Sequence, residues 1–282
     1  MSLSAFSVKL CVIDFLRTNT EFRRVHTEFH RGKEIIDNLM KTITLLLLIF
    51  LSAFTTVPAE SKSDKIRILV ITGGHGYNKE TFNDMLNSLG PEITWQVAEL
   101  PAAYDMFKTE NRNKYDVLVF YHMWQKITAE EQKIFADCIR EGKPVVALHH
   151  SICAYDEWEE YWRILGGKYF HKTTMFDGIE YQPCSYIHDL HFTANIADKK
   201  HPVTKGVKDF DLFDETYKGY WVDPSAKILI TTKESSSTPV IGWTKKYGKA
   251  KIVVLQSGHD TPTFQSPDFR KLLKQAIDFV SK

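Results

Sequence analysis

The sequence predicts an α/β fold, a three-layer sandwich whose mostly parallel sheet is covered by helices on both faces. Three observations lead there: short apolar, β-branched runs that read as buried strands, apolar stripes at helical spacing between them, and Gly or Pro stops at the joints.

Residues 66–71 are the first such run, and it stops at Thr72-Gly73-Gly74-His75-Gly76, a tight turn. A helix follows to Leu89 and is closed by Gly90-Pro91. Residues 93–100 and 115–122 give the second and third strands. Thr128 and Glu131 form a capping box that opens a helix. That helix aligns Ile134, Phe135, Cys138 and Ile139 on one face and ends near Gly142. Residues 144–148 make a fourth buried strand, which delivers His149-His150. Helical spacing returns at Trp158, Tyr161, Trp162 and Leu165 and stops at Gly166-Gly167. The stretch 168–223 reads as aromatic and irregular. Residues 226–232, 239–243 and 251–255 are later strands, the last two flanking a hairpin turn at Lys246-Tyr247-Gly248-Lys249. The final helix carries one unbroken apolar face of Phe269, Leu272, Leu273, Ala276, Ile277 and Val280. One domain, residues 65–282, accommodates all of these elements.

The residues before it read differently. Residues 1–39 are mixed in charge, follow no period and read as an upstream extension outside the fold, with translation expected to begin at Met40. Residues 40–59 have the layout of a secretory signal: Met40-Lys41, the apolar stretch 43–51, and Val57-Pro58-Ala59 as a small-residue exit. The wholly apolar core is well short of the roughly 20 residues that span a bilayer, which favours a cleaved signal over an anchor. A periplasmic or secreted protein with no stable membrane anchor after cleavage is therefore expected.

Composition excludes several classes. With 43% hydrophobic residues the chain can bury a core, so wholesale disorder is excluded. Its 36 Lys+Arg against 35 Asp+Glu leave no basic excess for phosphates, so a nucleic-acid partner is not expected. Four cysteines without a CxxC pair make neither a disulfide framework nor a zinc ribbon.

In open α/β sheets ligands collect at the carboxyl ends of the strands. His75, His149-His150 and His259-Asp260 all fall at that edge. The phosphate cradles GxGxxG and GxxxxGK[ST] are absent, as is the GxSxG elbow of serine hydrolases. Residues 143–149 resemble the elbow strand of class I glutamine amidotransferases, with His149 where the nucleophilic Cys would stand. Cys153 lies four residues on, displaced from the elbow, so glutamine hydrolysis is not expected.

The pattern as a whole resembles the ThuA-like (trehalose utilisation) family, a branch of the class I glutamine amidotransferase-like, or flavodoxin-like, folds. The resemblance rests on Val146-Ala147-Leu148-His149-His150 and on Trp162-Arg163-Ile164-Leu165-Gly166-Gly167 with His171. It continues through His201-Pro202-Val203-Thr204-Lys205-Gly206, Phe213-Asp214-Glu215-Thr216-Tyr217 and Gly258-His259-Asp260. It implies that fold and a sugar-related role, with a small-molecule carbohydrate as partner.

Within that frame His149, His259 and Glu215 are the candidate catalytic residues, whether as acid–base groups or as holders of a metal. His75, His150, His171, Tyr217 and Asp260 are candidates for binding substrate. Glu215 and Tyr217 also fit a capped turn with the Tyr in the core, and His201 before Pro202 reads as structural. No cofactor is fixed by the sequence. His171, His188 and His191, with His149, His150 or His259 and with Glu215 or Asp260, would suit a zinc-like divalent cation, although no HxH or HExxH spacing marks a site. The aromatics between Tyr155 and Trp221 either line a carbohydrate cleft or fill the core. An exported carbohydrate-processing enzyme, hydrolase-like or isomerase-like, is the first expectation. A non-catalytic carbohydrate-binding or accessory module is the second, and a protein-interaction domain a third.

Overall fold

Runs of Val, Ile and Leu form strands because branched side chains pack well on a pleated surface. The strands of this protein, seen in a computed structural model, are β1 (Ile66–Gly73), β2 (Ile93–Glu99), β3 (Val117–His122), β4 (Val145–Leu148), β5 (Gly167–Lys168) and β6 (Thr174–Phe176). They continue with β7 (Ile179–Tyr181), β8 (Ser185–Ile196), β9 (Phe210–Lys218), β10 (Trp221–Val222), β11 (Lys227–Thr231), β12 (Val240–Tyr247) and β13 (Ala250–Leu255). The helices are α1 (Lys79–Asn87), α2 (Ala129–Arg140), α3 (Glu159–Leu165), α4 (Thr261–Gln265) and α5 (Pro267–Val280).

The structure describes residues 65–282 and, nearer the start, residues 19, 23, 24, 27, 28 and 31–44. The chain divides into two units, residues 1–62 and 63–282. In the first, residues 31–44 are helical and expose Ile35, Ile36, Leu39, Met40 and Ile43. Residues 45–59 of the expected secretory signal, and much of the expected 1–39 extension, lie outside the described residues. Among the described residues no helix is long and apolar enough to cross a membrane.

In the second unit one nine-stranded sheet runs β2-β1-β3-β4-β13-β12-β11-β8-β9. β2, β1, β3, β4 and β13 are parallel, as the sequence predicts, and from β12 onward the neighbours are antiparallel. Side chains alternate across the pleat and supply two cores. On one face Leu69, Ile71, Leu118, Phe120 and Ala147 pack under α2 and α3, against Phe135, Ile139, Tyr161 and Trp162. On the other, Ile68, Val70, Val119, Val146 and Leu148 pack under α1 and α5, against Phe82, Met85, Leu272 and Leu273. Truncating one such buried leucine to Ala costs about 2–5 kcal/mol.

Local signals set the boundaries. Asn78 caps α1 by accepting from the Thr81 N–H, and the Thr128–Glu131 capping box is present at α2. The β12–β13 hairpin is tighter than the sequence suggests: Tyr247 pairs with Ala250, leaving a two-residue turn with Gly248 at φ 55°.

The stretch 168–223 corrects the expectation of irregular structure. It holds the long antiparallel ribbon of β8 and β9, whose register shifts between Ile187 and Leu190. The first half of β8 is largely exposed, so it lacks the apolar alternation that marks a half-buried strand.

Candidate functional site

The site forms where β4 ends. His149 follows Leu148 with a left-handed backbone, φ 43°, and opens a short 3-10 turn through Cys153. A non-glycine residue there carries strain of about 1–3 kcal/mol, which the surroundings must over-determine. They do. The His149 ring is wholly buried, with Nδ1 2.7 Å from the Gln256 carbonyl oxygen beyond β13. A carbonyl only accepts, so Nδ1 carries a hydrogen and Nε2 is turned inward; an ionised carboxylate also only accepts, so a bond from Nε2 to Glu215 needs a second ring hydrogen. Nε2 lies 2.8 Å from Glu215 Oε2 and 2.8 Å from the Tyr217 hydroxyl, both on β9.

Residues 215 and 217 share a face of β9 because strand side chains alternate. The bulge in β8 lies opposite Glu215: the register shifts past Ile187, Asp189 takes φ 59°, and His188 turns toward the carboxylate. Its Nδ1 stands 3.3 Å from Glu215 Oε1. His259 arrives from the other side, with Nε2 4.0 Å from Glu215 Oε2 and Nδ1 3.6 Å from Asp260. Its backbone is clamped: buried Asp214 accepts from the N–H groups of Gly258 and His259, and the Tyr121 hydroxyl donates to the carbonyls of both.

The β1 turn completes the edge. Gly74 has φ 82°, and a Cβ there would lie 1.6 Å from the Met123 carbonyl oxygen, so only glycine lets the two loops approach. The approach sets the His75 ring 4.8 Å from His150 and 5.7 Å from His259. His150 is buried against Tyr121, with neither ring nitrogen hydrogen-bonded.

Electrostatics follow from burial and from this crowding. Burial pushes the Glu215 carboxyl up, but the His149 hydrogen bond and then attraction to His149, with smaller pulls from His259 and His188 when those rings are protonated, outweigh it and hold it below its ordinary value. Burial and then the His149 charge pull His75 and His259 down, and burial takes His150 well down. Burial raises Asp214 despite its backbone partners. Cys153 is fully buried and its thiol is pushed far up, mainly by burial, so it carries no thiolate near neutral pH.

The structure therefore brings together His149, Glu215, Tyr217, His259, His75, His150 and His188, with Asp260 at the rim. His171 bonds Asp156 and joins the others only through the rings of Tyr169 and Tyr217. His191 packs its ring on Phe213, and His201 accepts from the Val203 N–H with its ring against Phe279. Tyr217 is buried as a core residue would be, yet its hydroxyl meets His149. Sequence reasoning missed Gln256, Tyr121 and the clamp by Asp214. Their roles come from pairings across strands, which no local spacing displays. Among the described residues His149, Glu215 and His259 each offer a ligand atom, all within 4.8 Å of one another, the one such set able to hold a metal ion.

Comparison with known proteins sets this geometry in context. The family described as ThuA, trehalose utilisation, matches residues 67–280. A ThuA-like protein from Parabacteroides merdae ATCC 43184 superposes with a TM-score of 0.65 at 20% identity, over 77% of this chain and 90% of that one. A ThuA-like protein from Bacteroides uniformis ATCC 8492 gives 0.56 at 17% identity, over 80% and 95%. A cytoplasmic protein from Salmonella typhimurium LT2 gives 0.54 at 11% identity, over 77% and 100%. These likenesses establish the shared fold. No curated protein matches the sequence.

Proposed function

The chain belongs to the ThuA family, the family of trehalose utilisation, and from that premise we propose that it is a carbohydrate-processing enzyme in which Glu215 and His259 move a proton on a sugar. The observation that carries the reading is the His149 ring, fixed by Gln256 on one nitrogen and 2.8 Å from Glu215 on the other. His149 is wholly buried, so it acts on substrate through Glu215, as a positioning residue that keeps the carboxylate ionised and aimed.

Glu215, held below its usual range, is an ionised carboxylate near neutral pH, with lone pairs available to take a proton from substrate. His259, pulled down by burial and by His149, is a neutral imidazole there, with one nitrogen to donate and one to accept. Glu215 takes a proton from a sugar carbon beside a carbonyl while the neutral His259 gives its N–H proton to the carbonyl oxygen. His259 then takes back the proton of the neighbouring hydroxyl and Glu215 returns its own to the former carbonyl carbon, an isomerase-like transfer that balances. Hydrolysis by the two-carboxylate route needs a second carboxyl across the scissile bond. The groups facing Glu215 are imidazoles, and Asp260 pairs with His259, which favours the isomerase-like form. Glutamine hydrolysis has no support: His149 stands at the elbow and Cys153 is buried and protonated. The same reading has the protein exported through residues 40–59. Recovery of a peptide from residues 1–39 in the native protein would count against that.

The test is NMR of a panel of reducing disaccharides and keto-sugars incubated with the protein in deuterium oxide, with trehalose, which has no carbonyl and should not exchange, as the control. Deuterium entering a sugar carbon with the wild type and not with Glu215→Gln is the expected result. Binding of a sugar with no exchange and no turnover would favour a non-catalytic binding module on the same scaffold.

A second reading is favoured by one observation: the donor atoms of His149, Glu215 and His259 lie within 4.8 Å of one another, and the Gln256 carbonyl fixes the His149 tautomer as metal-bound histidines require. A zinc-like cation would there polarise a sugar oxygen, with His188 within reach as a further ligand. Elemental analysis of protein purified without chelator separates the two: about one metal per chain, lost in Glu215→Gln, establishes the cation, and a metal-free active protein excludes it.

A further inference from the structure

Trp124 follows β3 with a left-handed backbone, φ 40°, and is 59% exposed, a large apolar ring left in solvent directly after Met123, whose carbonyl oxygen meets the Gly74 turn before His75. The ring is nonetheless held firmly. Its Nε1–H donates to His171 Nε2 at 3.0 Å, and His171 Nδ1–H donates to Asp156 Oδ1 at 2.7 Å, so one tautomer of His171 satisfies both partners. Asp156 Oδ1 also takes a bond from Lys168 Nζ at 2.7 Å. Lys168 is only 1% exposed, and its ammonium lies over the Trp162 ring at 5.4 Å. Burial raises the Asp156 carboxyl, but the bonds from His171 and Lys168 prevail and hold it down to about 2, so the anchor keeps its charge.

A buried lysine, a carboxylate and an imidazole thus converge to orient one exposed indole. Burying an ammonium is costly unless it is paired, so this chain of contacts is not the residue of casual packing. The indole's single donor is consumed by His171, which leaves an apolar face of fixed orientation. The cluster is continuous with the site: the His171 ring is 5.1 Å from Tyr169, Tyr169 is 4.9 Å from Tyr217, and Tyr217 bonds His149.

We propose that Trp124 is a stacking platform for a second sugar ring, held in place by His171 and Asp156, so that the site takes a disaccharide rather than a monosaccharide. The inference rests on the carbohydrate reading above. A pyranose presents a face of C–H groups, apolar and slightly positive, which suits the negative face of an indole. Its hydroxyls stay at the ring edge in water or toward the polar cluster. His171 is a positioning residue here, acting through the indole.

The test titrates wild type, Trp124→Ala, Trp124→Phe and His171→Ala with trehalose, maltose and glucose by calorimetry, with tryptophan fluorescence as a second readout. Because Trp124 is exposed, its replacement leaves the fold intact. Trp124→Ala is expected to weaken disaccharide binding about tenfold or more and glucose binding less than threefold, with Phe in between. His171→Ala is expected to raise KM for maltose, the disaccharide with a reducing end, while leaving kcat within about twofold, and to alter the emission that Trp124→Phe removes. Equal disaccharide affinity in wild type and Trp124→Ala overturns the platform alone. Failure of the wild type to bind any of the three sugars overturns the carbohydrate reading and the platform with it. A change in oligomeric state in Trp124→Ala with unaltered sugar affinity assigns the indole to a protein contact and also overturns the proposal.

Discussion

His259 is held by its own backbone as much as by its ring. Asp214 accepts from the N–H groups of Gly258 and His259 at 2.7 and 2.9 Å, and it is buried. Replacement by Ala leaves two buried donors unpaired, each costing about 1–3 kcal/mol. Asp214→Ala is therefore expected to lower the unfolding free energy by about 2–6 kcal/mol in urea, whereas Asp214→Asn, which keeps one acceptor, loses about half as much. Equal stability of Ala and Asn variants would show that the clamp does not hold the loop. Part of this was legible in the sequence: histidines at three strand ends pointed to one edge. The partners that fix them were not, because Asp214 and Gly258 are 44 positions apart and no spacing rule links a strand residue to a distant loop amide.

The turns act as elements that place those side chains. Gly74 allows the β1 turn to meet the Met123 carbonyl oxygen, and a Cβ there meets it at 1.6 Å with φ at 82°. Gly74→Ala combines left-handed strain of about 1–2 kcal/mol with overpacking of about 1–3 kcal/mol. The variant is expected to melt earlier and, because His75 rides on the turn, to lose sugar affinity. Unchanged melting would mean that the two loops do not approach as described. The turn glycines and the parallel strands were readable because their runs are apolar and sharply stopped. The β8–β9 ribbon was not, since the exposed half of β8 has no apolar alternation to betray it. That ribbon carries Glu215, Tyr217 and His188, so the element hardest to read supplies three of the seven residues gathered at the site. The platform Trp124 escaped for a similar reason: exposure of a single indole, and its hold by a buried Lys168, are properties of the folded chain.

At the scale of the whole molecule, the buried imidazoles make stability depend on pH. Burial takes His122, wholly enclosed, down to about 3, and His150 well below its ordinary value. A histidine whose folded pKa is depressed binds its proton more readily when unfolded, so stability is full above about pH 6.5 and falls as pH drops toward 3. The slope is about 1.4 kcal/mol per pH unit for a fully shifted group such as His122. The urea midpoint is therefore expected to fall steeply between pH 6.5 and 4.5, and less steeply in His122→Gln, which retains a donor for the Tyr161 oxygen. A parallel profile in the two proteins would contradict the burial of His122. Asp156, held down to about 2, acts at lower pH still: its contribution is present above about pH 4 and is lost as pH falls through 2. The fold itself was largely legible, since both faces of the parallel sheet are apolar and the final helix shows an unbroken stripe. The antiparallel half followed only from pairings between β11, β8 and β9 that sequence patterning leaves open.

Glu215, aimed by His149, is the group proposed to work on the sugar. Steady-state turnover of the best sugar substrate by wild type and Glu215→Gln, with affinity measured in parallel, tests it most directly. Glu215→Gln is expected to lower kcat at least about 100-fold with binding within about threefold, the range for loss of a general base. Turnover by Glu215→Gln at the wild-type rate would contradict it.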